Sequence, residues 1–265
     1  MSVGFLIYLL AGALAGLLSG LFGVGGGLMI VPILTFVFAS MAFPEQHIMH
    51  MALGTSLATI IFTSISSTRA HHQNLNVDWI IVERISLGIV LGTLIGTALA
   101  ASIQTLWLKV IFAIFVFAVA TQLILDLRPD AKRSLPTAPV TNLFGAIIGV
   151  VSSLVGIGGG TLSVPFLIYC NTAVKRAIGT SAAIGFPIAV AGTLGFVYQG
   201  WVNKQLPTYS LGYVYLPAVI GVALMSTLTA PLGAKLAQQL PANVLKKAFA
   251  LLLYLISLKM ISGLF

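Results

Sequence analysis

Long apolar runs separated by short polar breaks set the pattern of this chain. Gly4 to Phe43, Ile48 to Thr68, Ile85 to Ser102, Leu106 to Leu125, Val140 to Thr172 and Ile178 to Gln199 contain no Asp, Glu, Lys or Arg apart from Lys109. Several runs exceed the roughly 18 to 20 residues that cross a bilayer core. They are continuously apolar rather than alternating with period two, which selects helices over a lipid-facing barrel. Breaking the runs at glycine clusters, prolines and charges predicts ten segments, over about 4–22, 28–43, 47–69, 79–102, 106–127, 139–156, 161–172, 176–200, 211–237 and 242–264.

Composition agrees with a membrane protein and removes other classes. Apolar residues fill 58% of the 265 positions and charged residues 7%, against about 25% charged in a soluble domain. The formal charge of +8 would suggest a nucleic-acid partner in a soluble protein. Here the basic residues fall between apolar runs, where they orient a chain in a bilayer, and no nucleic-acid partner is expected. Cys170 is the one cysteine, which excludes an internal disulfide framework and a cysteine-cluster metal site. The first apolar run lacks a basic stretch before it and is followed by many more, so it is read as a retained membrane segment.

The two halves of the chain repeat each other. Gly16, Ser19, Gly23, Gly25, Gly26, Gly27, Val31, Pro32 and Leu34 recur 133 residues later as Gly149, Ser152, Gly156, Gly158, Gly159, Gly160, Val164, Pro165 and Leu167. Gly54-Thr55-Ser56 recurs as Gly179-Thr180-Ser181, and Gly96 with Leu108-Lys109 recurs as Gly233 with Leu245-Lys246. The expected organisation is a first transmembrane repeat over 1–127, a linker over 128–139 and a second repeat over 140–265. The fold class is an all-α polytopic membrane protein of two five-segment repeats, each opening with a Gly-broken helical hairpin.

Counting Lys and Arg orients it. With ten crossings, one side receives Arg69, Arg84, Arg128, Lys132, Arg133, Lys175, Arg176, Lys235, Lys246 and Lys247, and the other receives Lys109, Lys204 and Lys259. If each Gly-broken pair re-enters on its own side instead of crossing, the count is the same. Both arrangements give an odd number of crossings per half. They invert the second repeat and put the linker in the cytoplasm and both termini outside. Joining each broken pair into one crossing would divide the charges almost evenly and encode no orientation.

The breaks themselves carry the candidate chemistry. Three consecutive glycines disfavour a helix by about 1 kcal/mol each, so Gly23-Val24-Gly25-Gly26-Gly27 and Gly156-Ile157-Gly158-Gly159-Gly160 should open the backbone inside the membrane. Lipid cannot satisfy the freed groups, so the breaks must lie inside protein or line a polar cavity. Each leaves a new helix N-terminus, at Leu28 and at Thr161, whose free N–H groups and positive dipole end suit an anion. Ser19, Ser152, Thr161, Thr55, Ser56, Thr180 and Ser181 would complete a substrate shell. Glycines at four-residue spacing, Gly12, Gly16 and Gly20 or Gly88, Gly92 and Gly96, are instead read as close helix packing.

What is missing bounds the mechanism. Glu45, Asp78, Glu83, Asp126 and Asp130 all fall near segment ends, so the usual intramembrane carboxylate relay is not visible. His47, His50, His71 and His72 also sit near segment ends and are expected in the solvated interface. No Walker-type nucleotide loop, cofactor motif, metal-ligating cluster or catalytic constellation stands out. These features predict a secondary transporter and no enzyme, cofactor or metal. Its partners are a small anion and the bilayer, with a homo-oligomer left open. An anion channel, or a binding or scaffold subunit that moves nothing, would share the same motifs.

The twin signatures Gly16-Leu-Leu-Ser-Gly-Leu-Phe-Gly-Val-Gly-Gly-Gly-Leu-Met-Ile-Val-Pro32 and Gly149-Val-Val-Ser-Ser-Leu-Val-Gly-Ile-Gly-Gly-Gly-Thr-Leu-Ser-Val-Pro165, each followed by Gly-Thr-Ser, resemble the sulfite exporter TauE/SafE family of membrane permeases. The resemblance implies a cell-membrane exporter or permease of sulfite, sulfoacetate or other small organosulfur anions.

Overall fold

The computed structural model describes residues 2–22, 26–125, 135–239 and 242–262. Ten α-helices run through them: α1 (Ser2–Phe22), α2 (Gly27–Ser40), α3 (Ile48–Gln73), α4 (Trp79–Ser102), α5 (Thr105–Ile124), α6 (Ala138–Val155), α7 (Gly160–Tyr169), α8 (Val174–Gly200), α9 (Leu216–Gln239) and α10 (Ala242–Ser262). Six stretches of helix are long and apolar enough to cross a membrane: Glu45–Gln73, Trp79–Ser102, Thr105–Ile124, Ala138–Val155, Val174–Gly200 and Leu216–Gly233. Residues 128–134, most of the expected linker, lie outside the described residues, as do Gly23, Val24 and Gly25.

The helices arrange around α3 and α8, which pack on each other. Their most apolar windows are 78% and 61% buried, against 33–44% for the other four, which puts this pair at the centre. Around it, α1 packs along α9, α4 along α6 and α5 along α10. Leucines such as Leu14, Leu87, Leu91, Leu228 and Leu255 project from the outer helices and are more than half exposed. A rim of that kind is compatible with lipid and not with water.

The four-residue glycine spacing is used for packing. A Cβ at Gly12 would lie 2.6 Å from the Val222 carbonyl oxygen, and one at Gly149 would lie 2.5 Å from that of Ile89. Gly88, Gly92 and Gly96 meet the backbone or side chains of Asn142, Ala146, Val150 and Ser153 even more closely. Backbones approach this closely only where no side chain stands between them, so helix pairs gain dispersion contacts that larger residues would prevent.

Two expectations need correction. The segment expected as helix over 211–237 begins with a two-stranded antiparallel hairpin, Ser210–Leu211 against Val214–Tyr215, and its helix starts at Leu216. Gly212 makes that turn at φ 55°, pressed on the Val197 backbone, which no helical continuation from 211 allows. His50 is not solvated at an interface: it is 4% exposed. Its Nε2 sits 3.1 Å from the carbonyl oxygens of both Ala100 and Ile103. Those carbonyls belong to the C-terminal end of α4, where unpaired acceptors need a donor.

Candidate functional site

The second break begins where α6 ends. Gly156 takes the left-handed conformation, φ 67°, ψ 35°, as the C-cap of α6, and Ile157 N–H returns to the Ser152 carbonyl at 3.0 Å. The chain restarts as α7 from Gly159 with no side-chain cap, so the first-turn N–H groups of α7 have no side-chain acceptor. At the first break Gly26, φ 72°, likewise precedes α2 with no side-chain cap.

The two breaks touch. A Cβ at Gly27 would lie 2.7 Å from the Gly156 carbonyl oxygen and 2.9 Å from Ile157 Cα. Ser56 Oγ donates to the same Gly156 oxygen at 2.8 Å, so a carbonyl released by the break finds its donor on the central helix α3. This satisfies the requirement that irregular backbone at membrane depth be buried in protein.

Beside that contact, between α3 and α8, lies a cavity of about 50 Å³. Gly158, Gly159 and Gly160 form one wall, Thr63, Ser64 and Ser67 of α3 a second, and Ser181 and Gly185 of α8 a third. Among the described residues, no charged side chain lines it. Ser181 is 1% exposed and its Oγ has no hydrogen-bond partner. An unpaired hydroxyl at that depth costs about 1–3 kcal/mol unless a ligand or water completes it. The volume holds a few waters or one small oxyanion. The cavity lies nearer the end of α8 that carries Lys175 and Arg176 than the end at Gly200.

The Gly-Thr-Ser motifs do two different things. Each glycine admits a loop and each threonine fastens it. Thr55 Oγ1 accepts Tyr215 N–H at 3.0 Å, just before α9, and Thr180 Oγ1 accepts Asp78 N–H at 2.9 Å, just before α4. Gly54 gives room to the Tyr213 carbonyl and Gly179 to that of Asn76. The serines point elsewhere, Ser56 to the break and Ser181 to the cavity.

Comparison with known proteins agrees with the doubled signature. The family model for sulfite exporter TauE/SafE matches residues 8–260. The chain belongs to the TauE/SafE family. It is 41% identical over 256 residues to a probable membrane transporter protein of Haemophilus influenzae, covering 96% of this chain and 97% of that one. A probable membrane transporter protein of Methanocaldococcus jannaschii is 31% identical, covering 91% and 89%, and one of Bacillus subtilis 28% identical, covering 90% and 92%. No solved structure matches the chain.

Of the site residues read from the sequence of this TauE/SafE protein, Gly158, Gly159, Gly160 and Ser181 line the cavity, and Gly27, Ser56 and Gly156 form the contact beside it. Thr161 Oγ1 and Ser152 Oγ are buried without partners but are not among the cavity's lining residues. Gly23, Gly25 and the side chain of Ser19 lie outside the described residues. Thr63, Ser64 and Ser67 were missed. With Ile60 they share one helical face, and the hydroxyl run from Thr63 to Thr68 in an otherwise apolar segment was the available signal.

Toward the α2–α3 loop, a wider depression of about 700 Å³ is lined by Glu45, His47, His50, Lys109 and Tyr213 among others. His47 is held there by Asn203 at 2.8 Å, and Gln46 is bonded to Gln205. Nearby, Tyr8, Phe38, Phe43 and Tyr215 form a connected aromatic cluster with ring centroids 5.0–6.5 Å apart.

Proposed function

We propose that this TauE/SafE protein is a secondary transporter of small anions such as sulfite, with the α3–α8 cavity as its substrate site. One observation carries the reading. An unpaired buried hydroxyl, Ser181, and the uncapped start of α7 meet in a small cavity beside the two touching glycine breaks. Donors without fixed charge in a water-poor setting hold an anion strongly enough to select it and weakly enough to release it.

The architecture we assign is two inverted repeats, 1–127 and 140–265, joined by a cytoplasmic linker over 128–139, with both termini outside. Helix pairing supports it. Exchanging the halves maps α1–α9 onto α6–α4 and leaves α3–α8 and α5–α10 in place. The two threonine fasteners exchange in the same way. Helix α7 has 10 residues and α2 has 14, about 15 and 21 Å at about 1.5 Å per residue. Both are short of the roughly 30 Å hydrocarbon core, which favours re-entrant hairpins over crossings. Pairs of this kind, with the substrate at the repeat interface, are a transporter design.

In this reading the cavity faces the cytoplasm through the end carrying Lys175 and Arg176. The aromatic cluster of Tyr8, Phe38, Phe43 and Tyr215 closes the outer side, and the His47–Lys109 depression is the outer vestibule. A closed outer side and a one-anion cavity favour a carrier over an open channel. The test is uptake by proteoliposomes: radiolabelled sulfite should enter saturably and show counterflow with internal unlabelled anion. Flux without saturation or counterflow would indicate a channel, and no flux of any small anion a non-transporting subunit.

A further inference from the structure

The cavity's chemistry says more about its ligand than that it is an anion. Thr63 and Ser64 line it, yet both hydroxyl protons are already committed. Thr63 Oγ1 donates to the Ile60 carbonyl at 3.3 Å and Ser64 Oγ to the Ile61 carbonyl at 3.0 Å. These oxygens therefore turn lone pairs, not protons, toward the cavity. Donors complete the lining: the unpaired Ser181 hydroxyl and the N-terminal end of α7 opposite, and on the α3 wall Ser67, whose hydroxyl proton is not committed to a carbonyl. A fully deprotonated dianion offers acceptors alone and would meet the lone pairs of Thr63 and Ser64. A protonated monoanion offers both, with oxygens for Ser181 and α7 and one O–H for Ser64 or Thr63.

Charge leads to the same species. A helix N-terminus supplies about half a unit of positive charge, and among the described residues no cationic side chain lines the cavity to supply more. The cost of removing an ion from water grows with the square of its charge, and a buried ion without a counter-charge keeps that cost. Half a compensating charge can hold a monoanion; it is far from neutralising a dianion.

We infer that this site selects the protonated, singly charged form of a small oxyanion, so that a substrate such as sulfite is bound as hydrogen sulfite. The inference rests on the cavity being the transport site. One consequence is that a proton travels on the substrate itself. Transport would then respond to a pH gradient without a carboxylate relay, and the chain's five acidic residues, Glu45, Asp78, Glu83, Asp126 and Asp130, all fall away from segment centres.

The test compares sulfite with chlorate on the purified full-length protein. Both are pyramidal trioxo anions, but chlorate stays a bare monoanion at every pH used. Ligand-induced thermal stabilisation gives the half-saturating concentration of each from mildly acidic to alkaline pH. The expected result is that sulfite weakens by about tenfold per pH unit once the dianion dominates, because the competent fraction falls by that factor, whereas chlorate stays flat. Ser181→Ala should weaken both anions. Thr63→Val combined with Ser64→Ala, which removes both acceptors for the ligand's O–H, should weaken sulfite at acidic pH and spare chlorate. If sulfite binds equally or more tightly at alkaline pH while Ser181→Ala still weakens it, the site stands and the protonated-monoanion inference fails. If Ser181→Ala alters neither anion, the site assignment fails and the inference with it.

Discussion

Gly27 and Gly156 lie so close that a Cβ at Gly27 would sit 2.7 Å from the Gly156 carbonyl oxygen. That oxygen is also the acceptor of the Ser56 hydroxyl, so steric room at one break and hydrogen bonding at the other depend on the same atom. Gly27→Ala should therefore destabilise the protein by about 1–3 kcal/mol, as overpacking does. Ser56→Ala should cost about 1–3 kcal/mol by leaving a buried carbonyl unpaired. Because both act through one carbonyl, the double variant should lose less than the two losses added together. Thermal unfolding of the four proteins in one detergent measures this. Full additivity would show that the breaks do not meet.

Gly185 separates a blocked site from a broken fold. A Cβ there meets nothing nearer than Ser64 Cβ at 3.8 Å and Gly159 N at 3.9 Å, so Gly185→Ala fits. As a glycine-to-alanine change within a helix it should leave stability equal or raise it by up to about 1 kcal/mol. Its methyl takes space from a cavity of about 50 Å³, so half-saturation for the transported anion should rise at least about tenfold, or about 1.4 kcal/mol. Gly185→Val should go further. Wild-type transport by a stable Gly185→Val protein would remove this cavity from the pathway.

Much of this was legible in the sequence, for identifiable reasons. Helix ends at Gly156, Asp78 and Ser102 carry their own local signals, and the extent of α4 and the end of α6 follow from them within a few residues. Close packing at Gly88, Gly92 and Gly96 follows from spacing alone. Side-chain direction does not. Adjacent residues on a helix point about 100° apart, so Thr180 fastens the Asp78 backbone while Ser181 faces the cavity. Nothing in Gly-Thr-Ser distinguishes those roles until the partner helix is placed. Ser64 was hidden for the same reason: one hydroxyl among several on α3, singled out by the face that α8 and the second break cover.

Thr180 provides a test of that division of labour. Its Oγ1 accepts Asp78 N–H, and Asp78 also pairs with Arg176 at 3.0 Å on the exposed side. Thr180→Val keeps the shape and removes the acceptor, leaving the Asp78 N–H unsatisfied. The expected loss is about 1–3 kcal/mol of stability, with the anion's half-saturation changed less than about threefold, under about 0.7 kcal/mol. Thr180→Ser should restore stability. Thr55→Val should behave alike through Tyr215. A large loss of affinity at unchanged stability would place Thr180 in the substrate shell instead.

The inverted architecture makes a prediction about sidedness. Gln73 ends α3, and Val202, 84% exposed, follows α8. These two helices form the central pair, and in an inverted repeat their C-terminal ends are equivalent positions on opposite faces of the membrane. In a Cys170→Ser background, Gln73→Cys should react with a membrane-impermeant thiol reagent only after the cytoplasmic face is opened. Val202→Cys should react in intact cells. Cys170 is itself buried and free, so its removal takes away background labelling without breaking a bridge. Labelling of both positions from one side would make the repeats parallel. The charge asymmetry between Arg69, Lys175 and Arg176 on one face and Lys109 and Lys204 on the other would then need a cause other than orientation.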